Sequence, residues 1–250
     1  MMKRSSRRDP AYPHPGNSTA MPLNVQYRLG KLKSLGLLHG VWLDYGCANG
    51  GYTEALVQWG ARRAIGVDVD PSHIAEANCA RKSDATEYST CSGFRLPFPD
   101  ASFEGVLLNE VLEHVADEAV TLNEIRRVLR PSGLLVVMSP NRWFPFEGHG
   151  MRIGSRDFGF PVPFLPWLPR RLATRVMTAR NYWPHELRDV VGDAGFDIVS
   201  VDYVLPVLEM YRWLPASVTR WYQRNLIRLD KTPLRKFGVS TLILARPAAA

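Results

Sequence analysis

The sequence predicts an α/β domain with a doubly wound, mostly parallel sheet of seven strands. Three observations carry this. Short apolar runs alternate with segments of helical periodicity, the pattern of a sheet covered by helices on both faces. Asp44, Asp68, Asn109 and Asn141 fall at the C-terminal ends of such runs, where open α/β sheets bind ligands. The 250 residues, with 46% apolar content, suit one domain with a sizeable core.

The elements follow in order. A helix is expected over 24–36, then strand one over 41–45 and a helix over 51–60. Strand two covers 64–69, a helix 71–82, strand three 86–91 and strand four 105–109. Asp70 caps the helix that Pro71-Ser72 opens. A helix over 117–130 carries Ala119, Leu122, Ile125 and Leu129 at helical spacing, and Pro131-Ser132-Gly133 stops it. Strand five is the apolar run 134–138. A helix over 184–194 has Pro184 in its first turn, Leu187, Val190, Val191 and Ala194 on one side, and Gly195 as its cap. Strand six covers 196–204 and the last strand 239–245.

Residues 141–181 break the alternation with seven Trp and Phe residues, from Trp143 to Trp167, and many prolines. A connection of this length is rarely passive. The domain is therefore expected over 23–247, with 141–181 as a lid insertion; ordinary apolar packing is the competing reading.

The formal charge of +7 has uneven sources. Residues 1–22 hold Lys3, Arg4, Arg7 and Arg8 among Ser, Pro, Gly and Asn, and read as a disordered basic tail. A second concentration runs from Arg212 to Lys236, where the cations alternate with Trp, Tyr, Leu and Val. Tyr203 to Leu229, which mixes Leu, Val, Trp and Tyr with Arg, fits an interfacial amphipathic segment at a membrane surface, or a packed helix with snorkelling arginines. It is not a basic run, and there is no recognisable RNA-binding module, which makes nucleic acid a poor partner. Cys47, Cys79 and Cys91 form no C-x-x-C and no even framework, pointing to a reducing cytoplasm. No run approaches the roughly 18 apolar residues of a spanning helix, so any membrane contact is expected to be peripheral.

Val41 to Thr53 reads strand, glycine turn, helix, with Asp44, Gly46 and Gly50 as D-x-G-x-x-x-G. Glycines at 46 and 50 allow a sharp turn and close backbone approach to a ligand. A dinucleotide loop would need glycine at Ala48, and Gly51 is misplaced for its third glycine. A carboxylate in this turn suits a cationic or hydrogen-bond-donating ligand. One βα unit later, Asp68 ends an apolar strand, where an acid accepts hydrogen bonds from ribose hydroxyls.

Further blocks follow in order. They are Leu96-Pro97-Phe98-Pro99-Asp100, Phe103-Glu104, Glu110 to Val115, Arg127 to Gly133 and Ser139-Pro140-Asn141. In order and spacing, residues 28–141 resemble the class I S-adenosylmethionine-dependent methyltransferases, in the subgroup with an EvLEHv block that includes the ubiquinone-pathway O-methyltransferases. The resemblance implies a Rossmann-like fold, S-adenosylmethionine as cofactor and a cofactor site at Asp44, Gly46, Cys47, Gly50, Asp68, Val69 and Asn109. Ser92 stands where many relatives carry an adenine-binding Asp, with Gly93 beside it.

Glu110, Glu113 and His114 would share one face if they lay on a helix. By resemblance to the small-RNA and ubiquinone-pathway methyltransferases, these three and His149 would hold Mg²⁺, Mn²⁺ or Zn²⁺ to acidify an acceptor hydroxyl. The alternatives are a metal-free His114, acting as base or orienting the acceptor beside Glu113, and a structural His114. The expected function is O-methylation of a small hydrophobic or lipid-like acceptor. RNA methylation, or an accessory role at a membrane in a lipid or quinone pathway, are the other readings.

Overall fold

The computed structural model describes residues 22–92, 94–148, 150–153, 156–159, 162–208 and 214–249. The basic tail lies outside the described residues, apart from Pro22.

Helix α1, Leu23–Ser34, precedes the sheet. Strands β1 (Val41–Tyr45), β2 (Arg63–Asp68) and β3 (Thr86–Thr90) alternate with helices α2 (Gly51–Gln58) and α3 (Pro71–Ala80). Strand β4 (Phe103–Asn109), helix α4 (Glu118–Val128) and strand β5 (Leu129–Pro140) follow. After 141–181, which includes helix α5 (Arg170–Val176), come helix α6 (Pro184–Asp193), strand β6 (Phe196–Val204), helix α7 (Ala216–Leu229) and strand β7 (Ser240–Pro247). The seven strands order as β6-β7-β5-β4-β1-β2-β3. Pairing is parallel from β3 to β5, while β7 inserts antiparallel between β5 and β6. This is the seven-stranded, mostly parallel sheet the sequence predicts.

One apolar cluster packs α4 and α6 against one face of the sheet, with Leu122, Ile125, Leu187 and Val191 fully buried. Another packs α1 and α2 on the opposite face through Val25, Leu29, Leu32 and Leu56. Two helical expectations need correction. Ala119 is exposed, and Thr121, Leu122, Ile125 and Val128 form the buried stripe of α4. Leu129 is buried, but already in strand conformation, because Pro131 cannot continue a helix and β5 begins early to pair Leu129 with Phe103.

The segment 141–181 folds as short strand pairs, Phe146–Glu147 with Val162–Pro163 and Met151–Ile153 with Arg156–Phe158, followed by α5. Arg142, almost wholly buried, ties it down by donating to the carbonyls of Pro166 (2.6 Å) and Leu168 (2.5 Å). The Asn181 amide donates to the buried Glu147 carboxylate at 2.7 Å.

Candidate cofactor and acceptor site

A cavity of about 690 Å³ opens at the C-terminal ends of β1, β2 and β4. Its acidic end is built locally. Gly46 follows β1 with φ +78° and Gly50 precedes α2 with φ +81°, both left-handed. Packing gives a reason for glycine besides ligand approach. A Cβ on Gly46 would lie 2.5 Å from Val111, and one on Gly50 2.6 Å from the Tyr88 hydroxyl, so both glycines are required by packing of the protein on itself.

The turn between them delivers backbone donors. The Ala48 amide donates to Asp68 Oδ2 at 2.9 Å, and the Asp70 amide to Asp68 Oδ1 at 2.9 Å. His73 Nδ1 lies 3.4 Å from the same carboxylate. Asp70 caps α3 as expected, accepting from the Ser72 amide at 2.8 Å. Asp44 is buried and accepts from the Thr53 hydroxyl at 2.7 Å. Burial, opposed by that bond and assisted by the charge of Asp68, pushes the Asp44 carboxyl up to about 7. A cation bound beside it would hold it ionised. Burial and the two carboxylates raise the Cys47 thiol far above its ordinary range, so Cys47 is a packing thiol here.

Further along the edge, at the tip of β4, the cavity is walled by Asn109, Glu110, Val111 and His114, and by Asn24 and Val25 of α1. Glu110 adopts φ +57° and ends the strand. The following turn is a 3₁₀ helix confined to Leu112–His114. Arg28 of α1 is buried and donates from Nη1 to Asn109 Oδ1 and to Glu110 Oε1, both at 2.7 Å. Its Nη2 donates to Ser240 Oγ at 2.9 Å, and the Ser240 hydroxyl in turn donates to Glu110.

Of the predicted residues, Asp44, Gly46, Cys47, Asp68, Val69, Asn109, Glu110 and His114 line the cavity. Three others do not. Gly50 faces Tyr88. Ser92 is exposed in a tight turn, bridged to Arg95, while Cys91 and Phe94 reach the wall. Glu113 is buried, with its Oε2 accepting from Ser139 Oγ at 3.2 Å. Gly93 and His149 lie outside the described residues.

The helical face expected for the metal ligands is corrected by the same geometry. Glu110, Glu113 and His114 do not share a helical face, because the left-handed Glu110 precedes the 3₁₀ turn. Glu110 turns to Arg28 and Ser240, Glu113 to Ser139, and His114 is exposed on the cavity wall. Among the described residues no three His, Cys, Asp or Glu side chains converge on a metal position. The expected lid also contributes no described wall to the cavity.

Sequence reasoning missed Thr53 and Arg28. Arg28 left a signal: it sits with Val25, Leu29 and Leu32 on the buried stripe of α1, where a charge demands a buried partner.

This sheet order, with acids at the tips of β1 and β2, defines a nucleoside-cofactor-binding α/β domain. A methyltransferase-domain family model matches residues 43–137. An uncharacterised methyltransferase of Mycobacterium leprae is 30% identical over 212 residues, covering 82% of this chain and 71% of the relative. A ubiquinone biosynthesis O-methyltransferase of Cereibacter sphaeroides is 29% identical over 161 residues, 63% of this chain and 60% of that protein. The crystal structure of an S-adenosylmethionine-dependent methyltransferase from Mesorhizobium loti superposes with a TM-score of 0.60 at 20% identity, covering 89% of this chain and 97% of that one. The chain belongs to the class I S-adenosylmethionine-dependent methyltransferases.

Proposed function

We propose that the protein methylates a hydroxyl of a small hydrophobic or lipid-like acceptor, with His114 taking the proton. The observation that carries this reading is the division of the cavity. Asp44 and Asp68 at β1 and β2 face it, Glu110 at the tip of β4 is turned to Arg28 and Asp117 lies at the rim, whereas Val25, Val111 and Val115 give a stretch of apolar wall near β4 and α1, with His114 beside them. The name of the Cereibacter relative, an O-methyltransferase of ubiquinone biosynthesis, supports the same acceptor chemistry.

Bound S-adenosylmethionine supplies an electrophilic methyl on a sulfonium. Asp68 accepts from ribose hydroxyls with the lone pairs its backbone donors leave, and Asp44 offers negative charge to the cationic end. In-line displacement asks the protein chiefly for alignment, worth roughly 7–11 kcal/mol of barrier. A hydroxyl nucleophile must also lose its proton, and His114 is the cavity-facing imidazole at the tip of β4. Glu113, buried on Ser139, fixes the 3₁₀ turn that presents it.

The test is methyl transfer to a panel of phenols, quinols and lipid alcohols, read by mass spectrometry. His114→Ala should lower kcat by roughly 10²–10⁴ with cofactor affinity unchanged, and should abolish the acid limb of the pH profile. Chelators should leave turnover intact. Full activity in His114→Ala, or methylation of amines alone, overturns the proposal.

A further inference from the structure

Two segments far apart in sequence place their exposed aromatics together. Phe164 packs on Trp167 at 5.4 Å between ring centroids. Trp167 Nε1 donates to the Arg142 carbonyl at 3.0 Å, and the Arg142 guanidinium lies over Trp183 at 5.1 Å. Trp183 meets Trp143 at 5.0 Å, and Trp143 meets Phe237 at 5.9 Å. Solvent reaches 60% of Phe164, 46% of Trp167, 44% of Trp143 and 47% of Phe237; Leu234, one turn before Phe237, is 59% exposed. Contiguous exposed apolar surface of this kind marks an interaction site.

The sequence flanking these aromatics is mostly basic, with Asp202 held by Arg235 and Lys31. Residues 162–185 contain no Asp or Glu, nor do 214–229 or 231–249. Arg220, Arg224 and Arg228 stand at i, i+4 and i+8 on the exposed side of α7, an arrangement that costs helix stability unless an anion lies against it. Among the described residues these three, Lys231 and Lys236 form no ion pair with an acid, while Asp230 is held by Lys31 at 2.7 Å. The Asn141 amide, at the end of β5, donates to the carbonyls of Lys236 and Gly238, both at 2.8 Å. The patch is thereby fixed to the same edge of the sheet on which the cavity opens. No described helix is long and apolar enough to cross a membrane.

We propose that this surface docks on an anionic lipid bilayer. Trp143 and Trp167 suit the headgroup level, where amphipathic aromatic rings settle, and the wholly apolar Phe237 goes deeper. Leu234 and Leu168 reach toward the acyl boundary, and the cations of α7 and the following turn meet lipid phosphates. Aliphatic side chains at Leu168, Leu172, Leu234 and Ile227 gain little from nucleic acid, which favours the bilayer over RNA. Docking stands on this surface alone and does not depend on the acceptor assignment.

The experiment is cosedimentation of the full chain with phosphatidylcholine vesicles, with and without phosphatidylglycerol, across a salt series, beside an RNA gel shift. The protein should pellet with the anionic vesicles at low salt, release as salt rises, and ignore the neutral ones. Leu234→Ser with Phe237→Ser, and separately Lys231→Glu with Lys236→Glu, should each weaken vesicle binding about tenfold or more. Calorimetric cofactor binding should be unchanged in both, which certifies the fold. Should the apolar variant not fold, the charge-reversed one decides, since both lysines are exposed. No pelleting with anionic vesicles overturns the proposal. So does RNA binding that the lysine changes abolish while the apolar changes leave it intact.

Discussion

The ends of β1 and β2 and the tip of β4 present carboxylates to the same cavity, but hold them by different means. Asp68 takes its hydrogen bonds from the Ala48 and Asp70 amides, 20 and 2 residues away, and Asp44 from Thr53, 9 residues away. Glu110 is held by Arg28, 82 residues away, and by Ser240, 130 residues away. The first arrangement is assembled by one βαβ unit. The second exists only once α1, β4 and β7 have come together. A site of the first kind is written in a local motif, whereas a site of the second kind is written in pairs of distant residues.

The sharpest way to break this comparison is to remove one holder from each side. Arg28→Ala leaves Glu110 buried without its cation and should cost about 3–5 kcal/mol of stability. Thr53→Val removes one hydrogen bond from Asp44 and should cost about 1 kcal/mol. Denaturant unfolding of both variants checks this. Equal losses would mean that the Arg28 cluster is no more structural than a local cap.

The same contrast explains what could be read from the sequence. Strands β1 and β6 match their expected spans, and β2 falls within one residue of its own, because their apolar runs and flanking turns are local signals. The acids at 44 and 68 line the cavity for the same reason. The Glu110–His114 stretch was misread because E-x-x-E-H has helical spacing, and only the pull of Arg28 and Ser240 shows that Glu110 leaves the helical region. The joining of Trp143 to Phe237 was likewise invisible, since it depends on Asn141 gripping the turn after α7.

A second prediction concerns pH. Asp44 titrates near 7 in the folded protein because burial disfavours its charge, whereas an unfolded Asp titrates near about 3.9. The folded state therefore binds more protons across that interval, and cofactor-free stability should fall as pH rises through it and level off above about 7. A cationic cofactor reverses the preference and expels the proton. Its affinity should therefore rise with pH below about 7, by at most about tenfold per pH unit, and then flatten. Asp44→Asn should remove the slope. A slope that survives in that variant would mean that another group in the cavity titrates on binding. Calorimetry at several pH values in two buffers of different ionisation heat reads the released proton directly.

The smallest effect tests the local side of the comparison. Ala48 occupies the middle of the turn with φ +46°, between two left-handed glycines. A Cβ in that region costs about 1–2 kcal/mol, partly offset in a glycine by the greater entropy lost on folding. The amide of residue 48 must keep its direction, because it donates to Asp68, and glycine adopts that conformation without strain. Ala48→Gly should therefore stabilise the protein by under about 1 kcal/mol and leave cofactor affinity nearly unchanged. Gly46→Ala should do the opposite, since its Cβ would lie 2.5 Å from Val111 in a conformation alanine disfavours. Thermal unfolding of the two variants, with and without cofactor, separates these outcomes. Destabilisation by Ala48→Gly would show that the Ala48 methyl, which lines the cavity, contributes more by packing than it costs in backbone strain.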